Sequence, residues 1–226
     1  MPTSSRRRPP PRRAASALFV MLIGGAELGA QAASIRAAVI PPPGWSVVAD
    51  AGGDRTKVIA EEMKPGFHVT TGPAAILFDS AMRATGDWRL EATIHLFDPG
   101  ARAEGFGVIF GGANLQTPAA RYGYALLRRD GKAMLKARDG ATTRTVRDWT
   151  ANAAIPVYKA GPPGTSVRYQ LVVEAKGDRV GLWVGPTQVI DAPRGELPTD
   201  GIVGIRINHA LNVHVERVAV STIPRR

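Results

Sequence analysis

From Trp45 onward the chain is built of short stretches in which apolar and polar residues alternate, separated by turn residues. The clearest stretch is Trp88 to Leu96. There Trp88, Leu90, Ala92, Ile94 and Leu96 fall on one face, and Arg89, Glu91, Thr93 and His95 on the other. This period of two predicts a strand with one wet side. Gly105 to Phe110 is instead a continuous apolar run with glycines, which suits a strand buried on both faces or close to a bulge. Tyr122 to Arg129 runs into Asp130-Gly131, and Lys132 to Arg138 runs into Asp139-Gly140. Both dipeptides are two-residue hairpin signals. Thr142 to Trp149 continues this meander with β-branched residues.

Pro156, Pro162 and Pro163 make Ala151 to Thr165 a long loop. Val167 to Ala175 then predicts a strand, and Lys176 to Arg179 turns it into Val180 to Val184. Thr187 to Ile190, Ile202 to Asn208 and Asn212 to Val220 complete the series. The one place where a helical turn is expected is Lys57 to Met63. Ten to thirteen short strands with regular turn signals predict an all-β antiparallel sandwich of the jelly-roll kind, spanning residues 45–223. No long-period repeat is present.

The first 44 residues read differently. Arg6 to Arg13 form a positive segment, Ala14 to Ala26 an apolar one of roughly 13 residues, and Ala30-Gln31-Ala32 a small-x-small cleavage pattern. Residues 1–32 are therefore expected to be a signal peptide. The apolar run is too short for a membrane span of about 20 residues. Export to the periplasm or beyond follows, by the general or the twin-arginine route. Residues 33–44 end in Pro41-Pro42-Pro43-Gly44 and read as a Pro-rich linker.

Composition narrows the chemistry. Apolar residues are 44% and charged residues 21% of the 226, an ordinary globular balance. The absence of cysteine excludes disulfides, thiolate metal sites and a lipid-anchored N-terminal cysteine. The net charge of +10 includes five arginines and one glutamate within residues 1–32, so the remainder carries +6. Those cations are dispersed without basic runs, which argues against a nucleic-acid partner.

Several segments together resemble the concanavalin A-like lectin and glucanase superfamily, in its laminin G-like bacterial secreted form. They are Gly86 to Ile94, Glu104 to Gly112, Tyr122 to Gly131, Gly177 to Gly185 and Asp200 to Asn208. The pattern is also similar to keto-disaccharide hydrolase domains. The resemblance implies two packed, curved antiparallel sheets and frequent carbohydrate ligands, in a superfamily with binding, structural and catalytic members. Some of those members bind calcium through loop groups, which points to Asp130, Asp139 or Asp200. Each is followed by glycine, so turn chemistry accounts for them equally.

Hydrolysis by paired carboxylates needs two acids held together. The chain has no Glu-x-Asp-x-Glu strand, and Glu91 and Glu104 are only weak candidates. The histidines, His68, His95, His209 and His214, show no ligand spacing along the chain. The suggestive set is aromatic and guanidinium: Tyr122, Tyr124 and Arg128 on one strand face, Arg138 on its partner, and then Trp149, Trp183, Arg206 and Asn208. A flat ring flanked by fixed donors suits a sugar. These residues could form such a face if they converge on one concave sheet; otherwise the tyrosines and Trp149 are core. The expected function is a non-catalytic carbohydrate-binding module. A glycoside hydrolase of the same fold and a protein-binding adhesion domain are the alternatives.

Overall fold

The computed structural model describes residues 42–224. The expected signal peptide, and all of the linker before Pro42, lie outside the described residues. Fourteen strands run in chain order: β1 Trp45–Ala49, β2 Val58–Glu62, β3 Phe67–Thr71, β4 Ala75–Ala84, β5 Trp88–Phe97, β6 Gly105–Ala113 and β7 Arg121–Arg128. Then follow β8 Lys132–Asp139, β9 Thr142–Ala151, β10 Ser166–Lys176, β11 Arg179–Val184, β12 Thr187–Pro193, β13 Gly201–Ile207 and β14 Asn212–Thr222. They form two antiparallel seven-stranded sheets. Sheet A has the order β1-β4-β13-β6-β7-β8-β9, and sheet B the order β12-β11-β10-β5-β14-β3-β2. The all-β sandwich is as expected.

The alternation in β5 holds residue by residue: Trp88, Leu90, Ala92, Ile94 and Leu96 are all buried between the sheets. Opposite them stand Leu77 of β4, Phe106, Val108 and Phe110 of β6, and Val203, Ile205 and Ile207 of β13. Each such side chain contributes about 1.5–3 kcal/mol on burial, so the two sheets share one core. The hairpins β7–β8 and β8–β9 turn at Gly131 and Gly140, with φ of 78° and 57°. That left-handed backbone is open to glycine at little cost. β6 is buried along all but its last residue and carries an irregular register near Phe110, as its glycine-rich apolar run implied.

The helical turn expected at Lys57 to Met63 is corrected. A 3-10 turn occupies Arg55–Lys57, capped by Asp54, whose carboxylate accepts from the Thr56 amide at 3.0 Å. Val58–Glu62 is a strand, because Val58 and Ala60 alternate into the core and pair with β3.

Candidate functional site

The outer face of sheet A is unusual in being largely apolar. Ile76 and Phe78 of β4, Ile109 of β6, Tyr122, Tyr124 and Leu126 of β7, and Met134 of β8 form a second buried cluster there. Leu115 and Ala120, from the segment between β6 and β7, pack with them. The face is concave, and one contact establishes this. β8 lies five strand positions from β1, about 24 Å across a flat sheet at 4.8 Å per strand. Yet Arg138 of β8 places Nη1 3.4 Å from Oδ1 of Asp50, the residue after β1. Two side chains meet over that span only if the sheet curls toward its outer side.

Asp50 is the centre of the concavity. Arg206 of β13 donates to it through both guanidinium ends, Nη2 to Oδ2 at 2.6 Å and Nη1 to Oδ1 at 3.1 Å. Nη1 also donates to the Tyr122 hydroxyl at 3.1 Å, and the guanidinium lies 5.1 Å from the Tyr124 ring centre. Burial alone would raise the Asp50 carboxyl. The hydrogen bond and charge of Arg206, joined by Arg138 and His209, outweigh it and hold Asp50 below the usual carboxylate range. Burial works against the Arg206 charge, and Asp50 with the two tyrosine oxygens more than restores it. Arg206 is only 7% exposed, so it is a structural cation behind the site rather than a group on its surface.

Beside this cluster lies a cavity of about 260 Å³. Val48, Ile76 and Leu115 give it an apolar side, and Asp50, Gln116, Thr117, Tyr122 and Arg138 a polar one. Arg138 donates through Nε to the Gly140 carbonyl at 3.0 Å, which fixes its guanidinium at the rim. Of the aromatic and guanidinium set whose convergence the sequence left open, Tyr122, Arg138 and Arg206 lie together here. Asp50 and Gln116 escaped sequence reasoning, because both sit outside the alternating strands.

The remaining expected residues are placed elsewhere or occupied. Tyr124 is 6% exposed, and burial pushes its hydroxyl pKa up. Trp149 has the Arg128 guanidinium 4.6 Å from its ring centre, and its far edge packs at Gly105. Arg128 in turn grips Asp130 through two hydrogen bonds of 2.7 and 2.6 Å. Asn208 closes the end of β13, its backbone amide donating to Gly105. Trp183 points outward, opposite to the buried Val180, Leu182 and Val184 of its own strand, but from sheet B, with its ring over Gly181. It cannot share a site with Tyr122, because the whole core lies between them. A single open stacking face made from all these aromatics is therefore not formed.

The two weak acid candidates are also separated. Glu91 is on sheet B, where it accepts from Arg89 at 2.8 Å and faces Arg217 at 4.0 Å. Glu104, just before β6, faces His209 at 3.7 Å. Of the aspartates named for calcium, Asp130 is held by Arg128, and Asp200 pairs with Arg194 at 3.2 Å; Asp139 stands exposed at the end of β8. No group of three or more metal-ligating side chains is arranged to hold an ion among the described residues.

Sheet B has a feature that linear spacing concealed. His68, His214 and His95 stand directly opposite one another on β3, β14 and β5, followed by Arg168 on β10. Ring centres are 6.4 Å apart for His68–His214 and 5.7 Å for His95–His214. His95 Nε2 is 2.8 Å from Glu216, which Arg168 also contacts at 3.2 Å. Burial, then the neighbouring His95 and His68, depress the His214 pKa. Arg168 and His95 hold the Glu216 carboxyl down to about 2.

No protein-family model matches this chain, and no curated protein sequence matches it. Solved structures do. The carbohydrate-binding module CBM66 from Bacillus subtilis aligns with a TM-score of 0.59 at 15% identity, over 79% of this chain and 96% of that one. The fold is a galectin-like, concanavalin A-like sandwich. The exoplasmic/lumenal domain of VIP36, in its Ca2+/Man3GlcNAc-bound form, aligns with a TM-score of 0.53 at 11% identity, over 83% of this chain and 89% of that one. A Bacillus subtilis protein of unknown function with a galectin-like fold aligns at 0.51 and 10%, over 80% of this chain and 90% of that one. At such identities the similarity concerns the architecture alone.

Proposed function

We propose that this domain is an exported, non-catalytic carbohydrate-binding module that takes a sugar ring in the cavity beside Asp50. The observation that carries this reading is the cavity's composition on a concave sheet. A sugar offers apolar C–H faces and hydroxyls that both donate and accept. Val48, Ile76 and Leu115 suit the former; the Asp50 carboxylate, the Arg138 guanidinium and the Gln116 amide suit the latter. The 260 Å³ volume falls just under the range of about 300–1,000 Å³ for drug-sized sites, which fits one ring at a chain end better than a long polymer.

The relation in fold to CBM66, a carbohydrate-binding module, supports the assignment. The laminin G-like affiliation and the exported setting are parts of the same proposal, resting on the segments and the signal pattern described above. The non-catalytic character rests on Asp50 being the only carboxylate in the cavity lining among the described residues, whereas paired-acid hydrolysis calls for two, about 5–9.5 Å apart.

A glycan array followed by calorimetry tests the proposal. The wild type binds at least one saccharide class, and Arg138→Ala and Gln116→Ala each weaken binding about tenfold, the loss of one good polar contact. Trp183→Ala, on the opposite sheet, binds as wild type does. A wild type that binds no glycan, or an Arg138→Ala protein that binds undiminished, ends the proposal.

A further inference from the structure

We infer that the sugar taken by this cavity carries an anionic substituent, a carboxylate or a sulfate. The inference rests on the carbohydrate-binding reading and adds the ligand's charge to it. Its basis is an unbalanced guanidinium. Among the described residues Asp50 is the only acid lining the cavity, and Arg206 already engages both of its oxygens. That pair neutralises itself. Arg138 then approaches the same Oδ1 at a long 3.4 Å and spends its Nε on a backbone carbonyl. The Nη2 edge of Arg138 has no partner among the described residues, although the side chain is only 21% exposed.

A half-buried cation with a spare donor edge, on the rim of a cavity, is arranged to receive an oxyanion. Its planar fork matches carboxylate or sulfate geometry, and such charge-assisted bonds are about twice as strong as neutral ones. A neutral sugar would cover Arg138 without balancing its charge, at a desolvation cost. The Asp50 carboxylate opposes an incoming anion, but with two guanidiniums around it the local sum stays positive.

The surroundings agree. Lys136 projects from the same face of β8 as Arg138, opposite Tyr124 and Thr145. Among the described residues the ion pairs of β7 and β8 involve Arg128, Lys132 and Arg138, leaving Lys136 outside them. Beyond residue 32 the chain carries +6, a field that favours approach of an acidic polymer over roughly a Debye length, about 10 Å at 0.1 M salt.

The test compares, on the whole purified protein, matched oligosaccharides that are neutral, uronate-containing or sulfated, each at 50 and 500 mM salt. One acidic arm binds at least tenfold tighter than its neutral counterpart, and that advantage shrinks at high salt. Which arm wins distinguishes carboxylate from sulfate. Arg138→Gln removes the advantage, Arg138→Lys restores part of it, and thermal melts confirm that both variants fold. Equal or tighter binding of the neutral arm overturns the inference while the carbohydrate-binding reading stands; binding of none of the arms or of any arrayed glycan overturns both. An Arg138→Gln protein that keeps the acidic preference overturns the inference, as does equal binding of a single-stranded oligonucleotide, which marks a mere polyanion surface.

Discussion

Two buried polar groups make opposite contributions. Asp50 and Arg206 form a bidentate pair, and Arg206 is almost wholly enclosed. Removing one partner of a buried pair strands the other charge, typically at 3–5 kcal/mol. Asp50 keeps 30% of its side chain in solvent, so Asp50→Ala is expected to cost about 2–3 kcal/mol, read from denaturant midpoints. Tyr169 is the contrary case. Its ring is fully buried edge-on to Phe106, its hydroxyl has no hydrogen-bond partner among the described residues, and burial pushes its pKa up to about 12. Tyr169→Phe removes an unsatisfied group and is expected to stabilise the domain by up to about 1 kcal/mol; a lower melting temperature would contradict this. Alternation in the sequence put Tyr122 and Tyr124 on one face of their strand without deciding which way it pointed; in the structure it points away from the inter-sheet core. Nor did alternation reveal that they would be covered, because the cover is the distant Leu115 segment and a curling sheet.

At the scale of elements, the histidine ladder ties the β2–β3 hairpin to β14 through only four paired residues, Asn212 to Val215. The charged and titratable groups around His214 are His68 and Glu61 from β3 and β2, His95 from β5, Arg168 from β10, and Glu216 on β14 itself. Because the folded His214 pKa is depressed from 6.5, the unfolded chain takes up that proton first as pH falls. Stability is thus complete above pH 6.5 and declines as pH drops through that value. Glu216 adds to the trend lower down: its stabilisation is present above pH 4.5 and fades toward pH 2. Unfolding midpoints are expected to fall from pH 7.5 to pH 5, and His214→Gln to reduce that fall. A profile unchanged by the substitution would place the acid sensitivity elsewhere. The hairpins at Asp130-Gly131 and Asp139-Gly140 were legible because their signals are local. β4 was not, since Ala75 to Phe78 is buried on both faces and shows no alternation. The ladder was invisible for a related reason: residues 68, 95 and 214 become neighbours only through strand order.

For the whole molecule, that order is decidedly non-local. β4 pairs with β13 through Leu77 and Ile205, and β5 with β14 through Leu96 and Val213. Loop closure must precede the gain from such pairs, so refolding is expected on the millisecond-to-second scale. One core joins both sheets, which predicts a single equilibrium unfolding transition by near- and far-ultraviolet circular dichroism. Two separated transitions would mean that the sheets are independent units. Sheet membership is also what sequence could not supply for Trp183. Alternation distinguishes inward from outward, but two sheets have two outsides, and only long-range pairing decides which one a residue adorns.

The clamp between Asp50 and Arg206 joins groups 156 residues apart. A nascent polypeptide carries Asp50, Gln116, Tyr122 and Arg138 well before β13 arrives to hold the carboxylate in place. Assembly of the clamp therefore waits until the last strands dock, and a truncated product that lacks them would leave the carboxylate unheld however well its earlier hairpins had formed.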